Sequence, residues 1–233
     1  MTDFDQTLPS WATAQPERPS VRRVRRFYDH LARIYPAFTL LFHSKAHRSA
    51  LDLAQMHDGM RVLEVATGSG EMFRRLVRAN PNGTTVGLDL SPRMAARTGR
   101  RIRREFPHAS TLCQAVDARY LPFPDGAFDV VVCCYLLELL SEDDGLVALR
   151  EIRRVLRSSG ALVLVCIGQS VPLYNRYYET MSKLIPAFLG RQVDHRLPEL
   201  VRAGDFEIRR DHRVRQGFYP SRILVASPHH PAG

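Results

Sequence analysis

Gly68 and Gly70 stand directly after the apolar run Val62-Leu63-Glu64-Val65 and directly before Met72-Phe73-Arg74-Arg75-Leu76-Val77, whose apolar positions recur at helical spacing. A strand, a glycine turn and a helix start form a corner that can take a nucleotide-like ligand. Glycine adopts positive φ without strain and lets backbone come close to a ligand, and the first turn of a helix offers N–H groups without intrahelical partners. A second apolar run, 84–88, ends in Asp89. That acid follows Gly70 by about 20 residues, the separation at which a carboxylate meets ribose hydroxyls in such corners. A dehydrogenase corner would carry a third glycine, where this chain has Phe73.

These residues need a scaffold, and the rest of the chain supplies its pattern. Ser91-Pro92 is a helix start, with serine as cap and proline in the first turn. Residues 111–116 suit a third strand, followed by Asp117-Ala118 and the loop 121–126. The unalternating apolar run 130–135 suits a parallel strand buried on both faces. Ser141 caps a helix striped with Leu146, Leu149, Ile152, Val155 and Leu156; Ser158-Ser159-Gly160 ends it, and 161–167 is a fifth strand. Strand–helix alternation of this kind predicts an α/β, doubly wound, mostly parallel sheet. A short helix over 198–203 and short strands over 206–208 and 223–226 complete it.

Ahead of this lie a polar, proline-bearing stretch, 1–20, expected to be a flexible tail, and a helical segment from Val21 that Pro36 ends or kinks. The apolar run 37–42 and a second helix from Ser44 to about Met56 follow. The expected organisation is one domain over 21–228. Its N-terminal helical cap spans 21–57, a helical insert acting as lid spans 168–195, and a tail covers 229–233.

Composition narrows the function classes. The 233 residues carry a net charge of +9, and all but two of the 33 basic residues are arginines, a skew that base composition alone produces. No nucleic-acid partner is expected from it. A basic surface does suit anionic lipids. No apolar run is long enough for a membrane span. The expected location is cytoplasmic, with peripheral contact at the inner membrane face. Cys113, Cys133, Cys134 and Cys166 form no Cys-x-x-Cys pair, and three of them sit in apolar runs, so buried free thiols are expected and no metal site.

Together the motifs resemble class I methyltransferases dependent on S-adenosylmethionine, from about residue 28 to 227. Residues 62–70 look like their first motif, Asp89-Leu90-Ser91-Pro92 like the second, and Asp117-Ala118 like the adenine-side motif. Residues 121–129 resemble "LPFPDxxFD", and 154–160 resemble "RVLKPGG" with Ser158 and Ser159 departing from it. Ala66 replaces a glycine of the wider family, as it does in the ubiquinone/menaquinone C-methyltransferases, whose N-terminal segment is similar to residues 27–36. The Leu-Arg-Asn of that subfamily is absent; Leu136-Leu137-Glu138-Leu139 stands there. Bacterial phospholipid N-methyltransferases are similar in the same motifs.

The resemblance implies a seven-stranded Rossmann-like fold, with S-adenosylmethionine as cofactor and a small, lipophilic acceptor, either a quinone precursor or a phospholipid headgroup. A soluble metabolite as acceptor, or a non-catalytic cofactor-binding regulator, are the alternatives. It also implies roles for residues. Gly68 and Gly70 admit the methionine part; Glu64, with Tyr28 and Ala66, orients it. Asp89, next to Leu90, takes the ribose. Asp117 and the Ala118 amide meet adenine, and Cys134 or Tyr135 floors the sulfonium. An acceptor that must lose a proton needs a base. The candidates are Tyr28, Tyr35, His43 and Glu138, then His30 and His195.

Overall fold

A computed structural model describes residues 35–169, 193–216 and 219–229, with side chains from His43 onward. The tail 1–20, the helix expected from Val21 with Tyr28 and His30, and most of the 168–195 insert lie outside the described residues, as does the side chain of Tyr35.

The described residues form, in order, five helices and seven strands: α1 Tyr35–Leu53, β1 Arg61–Val65, α2 Glu71–Ala79, β2 Thr84–Asp89, α3 Pro92–Glu105, β3 Ser110–Ala115, β4 Phe128–Cys134, α4 Glu142–Val155, β5 Leu156–Ile167, α5 Leu197–Ala203, β6 Phe206–Gln216 and β7 Tyr219–Pro228. A single 3-10 turn, Leu137–Leu139, joins β4 to α4. The sheet order is β3-β2-β1-β4-β5-β7-β6. The strands from β3 to β5 are parallel, and β7 is antiparallel to both β5 and β6. The direction of chain winding reverses between β1 and β4, the switch point where ligands bind in open α/β sheets.

Alternate residues of the central strands serve opposite cores, which is why the sequence shows no polar alternation there. Val62, Val130, Val132, Val163 and Val165 pack with Ala46, Ala50, Met72 and Leu76 of α1 and α2. Leu63, Val65, Val131 and Leu164 pack on the other face with Leu149 and Ile152 of α4 and Leu197 and Val201 of α5. Each fully buried aliphatic side chain contributes roughly 1.5–3 kcal/mol.

Three expectations need correction. The helix expected from Ser44 begins at Tyr35, because Pro36 falls in its first turn, where a missing N–H costs nothing. Ser158-Ser159-Gly160 is not a helix end but the middle of a β5 that starts at Leu156. There a register irregularity opposite Phe128 and Val130 lets three exposed residues run as strand. The last two strands are 11 and 10 residues long. Arg209, Arg210, Asp211, His212, Arg213 and Arg215 interrupt any apolar pattern in β6 because it is the sheet edge, where charges block pairing with other chains.

Candidate active site

The corner after β1 is built from left-handed residues. Ala66, Gly68 and Gly70 have φ of 65, 50 and 75°. A Cβ on Gly70 would lie 2.6 Å from Thr98 Oγ1, so α3 closes on this turn as tightly as glycine allows. Among the described residues, four non-glycine residues have positive φ. Gln55 and Asp205 follow the ends of α1 and α5, where left-handed caps are common. The other two, Ala66 and Tyr135 (φ 56°), directly follow the residues that end β1 and β4. Both therefore flank the switch point, where strain of about 1–3 kcal/mol each persists because the surroundings impose it.

Asp89 sits at the end of β2, as expected. Its Oδ2 accepts from the Gly68 amide at 2.7 Å and its Oδ1 from the Ser91 amide at 2.8 Å. The acid thus ties the β1 corner to the cap of α3, where Ser91 Oγ accepts from the Met94 amide. Glu64 is buried in the strand next door, and its Oε2 has no hydrogen-bond partner. Burial, then the nearby Asp89 charge, push its carboxyl well above the usual range. An unpaired carboxyl oxygen beside a glycine turn and a second acid fits a ligand that brings donors or positive charge, as an aminoacyl sulfonium nucleoside does. Leu90 is half-buried beside Asp89.

Asp117 follows β3 at the same end of the sheet. Its carboxylate accepts from Nε and Nη2 of Arg119 at 3.1 and 2.7 Å, and Arg119 Nη1 reaches Asp144 of α4 at 2.9 Å. Two carboxylates hold this buried guanidinium charged. Asp117 and the half-buried Ala118 are therefore fixed on the loop by an arginine that the sequence reasoning passed over; its two-residue offset from Asp117 was the available signal.

At the end of β4, Cys134 is buried and Tyr135 stacks on His43 of α1, with ring centroids 4.0 Å apart and planes at 25°. Tyr219 of β7 lies 4.9 Å from His43, and the Tyr135 hydroxyl is 2.8 Å from Ser221 Oγ. Burial lowers the affinity of His43 for a proton, and does the same to His47 one turn along, which falls to about 3. Tyr219 and Ser221 join this group only through the antiparallel return of β7, which no local motif announces. His195 is exposed and apart from it. Burial pushes the Cys113 thiol up to about 12 and those of Cys133, Cys134 and Cys166 upward as well, so none is a nucleophile at neutral pH.

Glu138 lies in the 3-10 turn after β4. It is buried, its Oε1 accepts from the Ile167 amide at 2.5 Å, and its Oε2 has no hydrogen-bond partner. Beyond Ile167, the Gln169 amide donates to Asp194 Oδ2 at 3.0 Å, and Arg222 binds Asp194 and Asp211.

Residues 62–160 match the methyltransferase domain family. The demethylmenaquinone methyltransferase of Lactococcus lactis subsp. lactis (strain IL1403) is 30% identical over 177 residues, 72% of this chain and 68% of that protein. The ubiquinone/menaquinone biosynthesis C-methyltransferase UbiE of Methylococcus capsulatus (strain ATCC 33009 / NCIMB 11132 / Bath) is 30% identical over 186 residues, 76% and 73% of the two chains. Among solved structures, the [4+2]-cyclase SpnF shares the fold at a TM-score of 0.74 and 20% identity, over 92% of this chain and 98% of that one. With the glycine corner, the acid of β2 and these relatives in agreement, the chain belongs to the class I S-adenosylmethionine-dependent methyltransferases.

Proposed function

We propose that the chain methylates a flat, lipophilic acceptor of the demethylated quinol class. The carrying observation is the aromatic wall at the end of β4, where His43, Tyr135 and Tyr219 lie with centroids 4.0 to 6.1 Å apart. Such a wall suits a planar ring, since aromatic pairs gain about 0.5–1.5 kcal/mol beyond area burial, and it offers less to an aliphatic headgroup. The names of the two curated relatives support the same class of acceptor.

The cofactor, when bound, supplies a sulfonium methyl that is electrophilic without further activation. Glu64 and the corner from Ala66 to Gly70 would hold its methionine end, Asp89 its ribose, Asp117 with the Ala118 amide its adenine, and Cys134 would line the floor. Tyr28, as a further cofactor contact, and Tyr28 and Tyr35, as candidate bases, stay proposals that fall outside the described side chains. The protein's contribution is alignment, for which fixed geometry supplies up to ~7–11 kcal/mol.

A long-chain quinol resides in a membrane. Among the described residues no helix is long and apolar enough to cross one. Exposed Lys45 and Arg48 of α1 and Arg210 of β6 suit anionic headgroups instead. The test is incubation with methyl-labelled S-adenosylmethionine and three acceptors: a short-chain demethylmenaquinol, phosphatidylethanolamine vesicles and a soluble extract of small metabolites. Label on the quinol is the expected outcome. Label confined to either of the others overturns the reading.

A further inference from the structure

Two buried carboxyl oxygens near the carboxyl ends of the strands have no hydrogen-bond partner, Glu64 Oε2 and Glu138 Oε2. Leaving such an acceptor unpaired costs about 1–3 kcal/mol, and a folded chain keeps few of them without a use. The first adjoins the glycine corner and Asp89, and the proposed hold on the cofactor accounts for it. The second stands on the other side of the switch point. Glu138 follows β4 by four residues, and its Oε1 is tied to the last residue of β5 by the 2.5 Å bond from the Ile167 amide. Oε2 is thereby fixed at the ends of β4 and β5, the region where open α/β sheets bind ligands, next to the point where the chain departs at Gln169 and returns at Asp194.

We propose that Glu138 is the general base of the reaction, taking on Oε2 the proton that the acceptor loses on methylation; this rests on the methyl transfer assigned above. In the balanced step the acceptor atom gains the methyl carbon, and the electron pair of the broken bond stays on sulfur. The acceptor's proton passes to the carboxylate. With a neutral quinol, a carboxylate and a sulfonium go in, and a carboxyl and a thioether come out, so no net charge is left in the buried site. Both a quinol and an ammonium headgroup must release a proton, so the role does not depend on which of them is the acceptor.

The surroundings suit that task. Among the described residues, the titratable groups that act on Glu138 or feel it are Cys133 and Cys134 of β4, Tyr135 after it, Cys166 of β5 and Asp194 before α5. None is a cation. Burial, opposed by the Ile167 amide, brings the carboxyl to about 7, near the pH at which a base is most effective. A purely structural Glu138 would act only through Oε1, as the staple between the 3-10 turn and β5.

Glu138→Gln separates the two roles, because the amide oxygen can still accept from the Ile167 amide but the side chain cannot take a proton. With short-chain demethylmenaquinol, kcat is expected to fall at least about a hundredfold, while calorimetric affinity for S-adenosylmethionine, and the melting temperature measured near pH 5, stay close to those of the wild type. The acidic limb of the wild-type pH–rate profile, with its midpoint near pH 7, should vanish; a folded Glu138→Asp variant should keep it at a lower rate. Infrared titration should show one carboxyl band lost between pH 6 and 8 in the wild type and missing from the Gln variant. Turnover of the Gln variant within threefold of wild type with the limb intact, or a wild-type band that does not titrate in that window, overturns the proposal. Should the wild type ignore the quinol and methylate phosphatidylethanolamine, the acceptor reading fails, and the same comparison on that lipid decides the role of Glu138.

Discussion

The Asp89 carboxylate accepts the Gly68 amide at 2.7 Å, so the acid of β2 holds the glycine turn of β1 in place. One side chain thus shapes the glycine corner and places a carboxylate beside it. Asp89→Ala removes charge-assisted hydrogen bonds worth about 1.5–3 kcal/mol each. Affinity for S-adenosylmethionine, measured by calorimetry, is expected to drop at least tenfold, with a lower melting temperature from the freed corner. Asp89→Asn keeps one acceptor oxygen and should lose less on both counts. An unchanged dissociation constant in a folded Ala variant would show that Asp89 serves the loop alone.

Ala66 holds φ of 65° with a Cβ that this region disfavours. Ala66→Gly relieves roughly 1–2 kcal/mol of backbone strain, offset by up to about 1 kcal/mol of extra freedom in the unfolded chain. The melting temperature is expected to hold or rise by a few degrees with no change in cofactor affinity. A fall of several degrees would mean that the alanine methyl makes a packing contact that outweighs its strain.

Buried carboxyl and imidazole groups pull stability in opposite directions with pH. Glu138, raised to about 7, binds a proton more readily folded than unfolded. Its stabilisation is complete below about pH 4.5 and is lost as pH rises to 7. His47, lowered to about 3, contributes fully above about pH 6.5 and loses that contribution as pH falls. The two oppose each other between 4.5 and 6.5, so the informative quantity is a difference between variants. Urea unfolding should show wild type losing about 1 kcal/mol or more relative to Glu138→Gln between pH 5 and pH 8. Replacing His47 by Gln should flatten the acid side instead. Parallel curves for wild type and Glu138→Gln would mean that the carboxyl does not change its proton occupancy on folding.

The glycine corner and the acid beside it were legible in the sequence because they are local. Gly68, Gly70 and Asp89 carry their meaning in short spacings, and the strands around them are buried on both faces and so uniformly apolar. The proposed acceptor wall was not, because it is assembled across the sheet. His43 meets Tyr135 through the packing of α1, and Tyr219 and Ser221 arrive on an antiparallel strand whose partner is a charged edge. Arg119 looked like one more arginine in an arginine-rich chain until the structure placed it between Asp117 and Asp144. Glu138 was legible as a titratable residue, yet only the Ile167 amide shows which of its oxygens is committed.

The bond from the Gln169 amide to Asp194 Oδ2, with Asp194 anchored in turn by Arg222, has a consequence for how the protein can diverge. The chain leaves and re-enters the described fold at this one neck, so its two ends are held together there. Closing a longer excursion across a fixed neck costs only about 0.6 kcal/mol per doubling of its length. The intervening stretch can therefore lengthen, shorten or be exchanged between paralogues while the strands, the glycine corner and Glu138 keep their positions. Changes of length at that neck therefore put little of the fold's stability at risk.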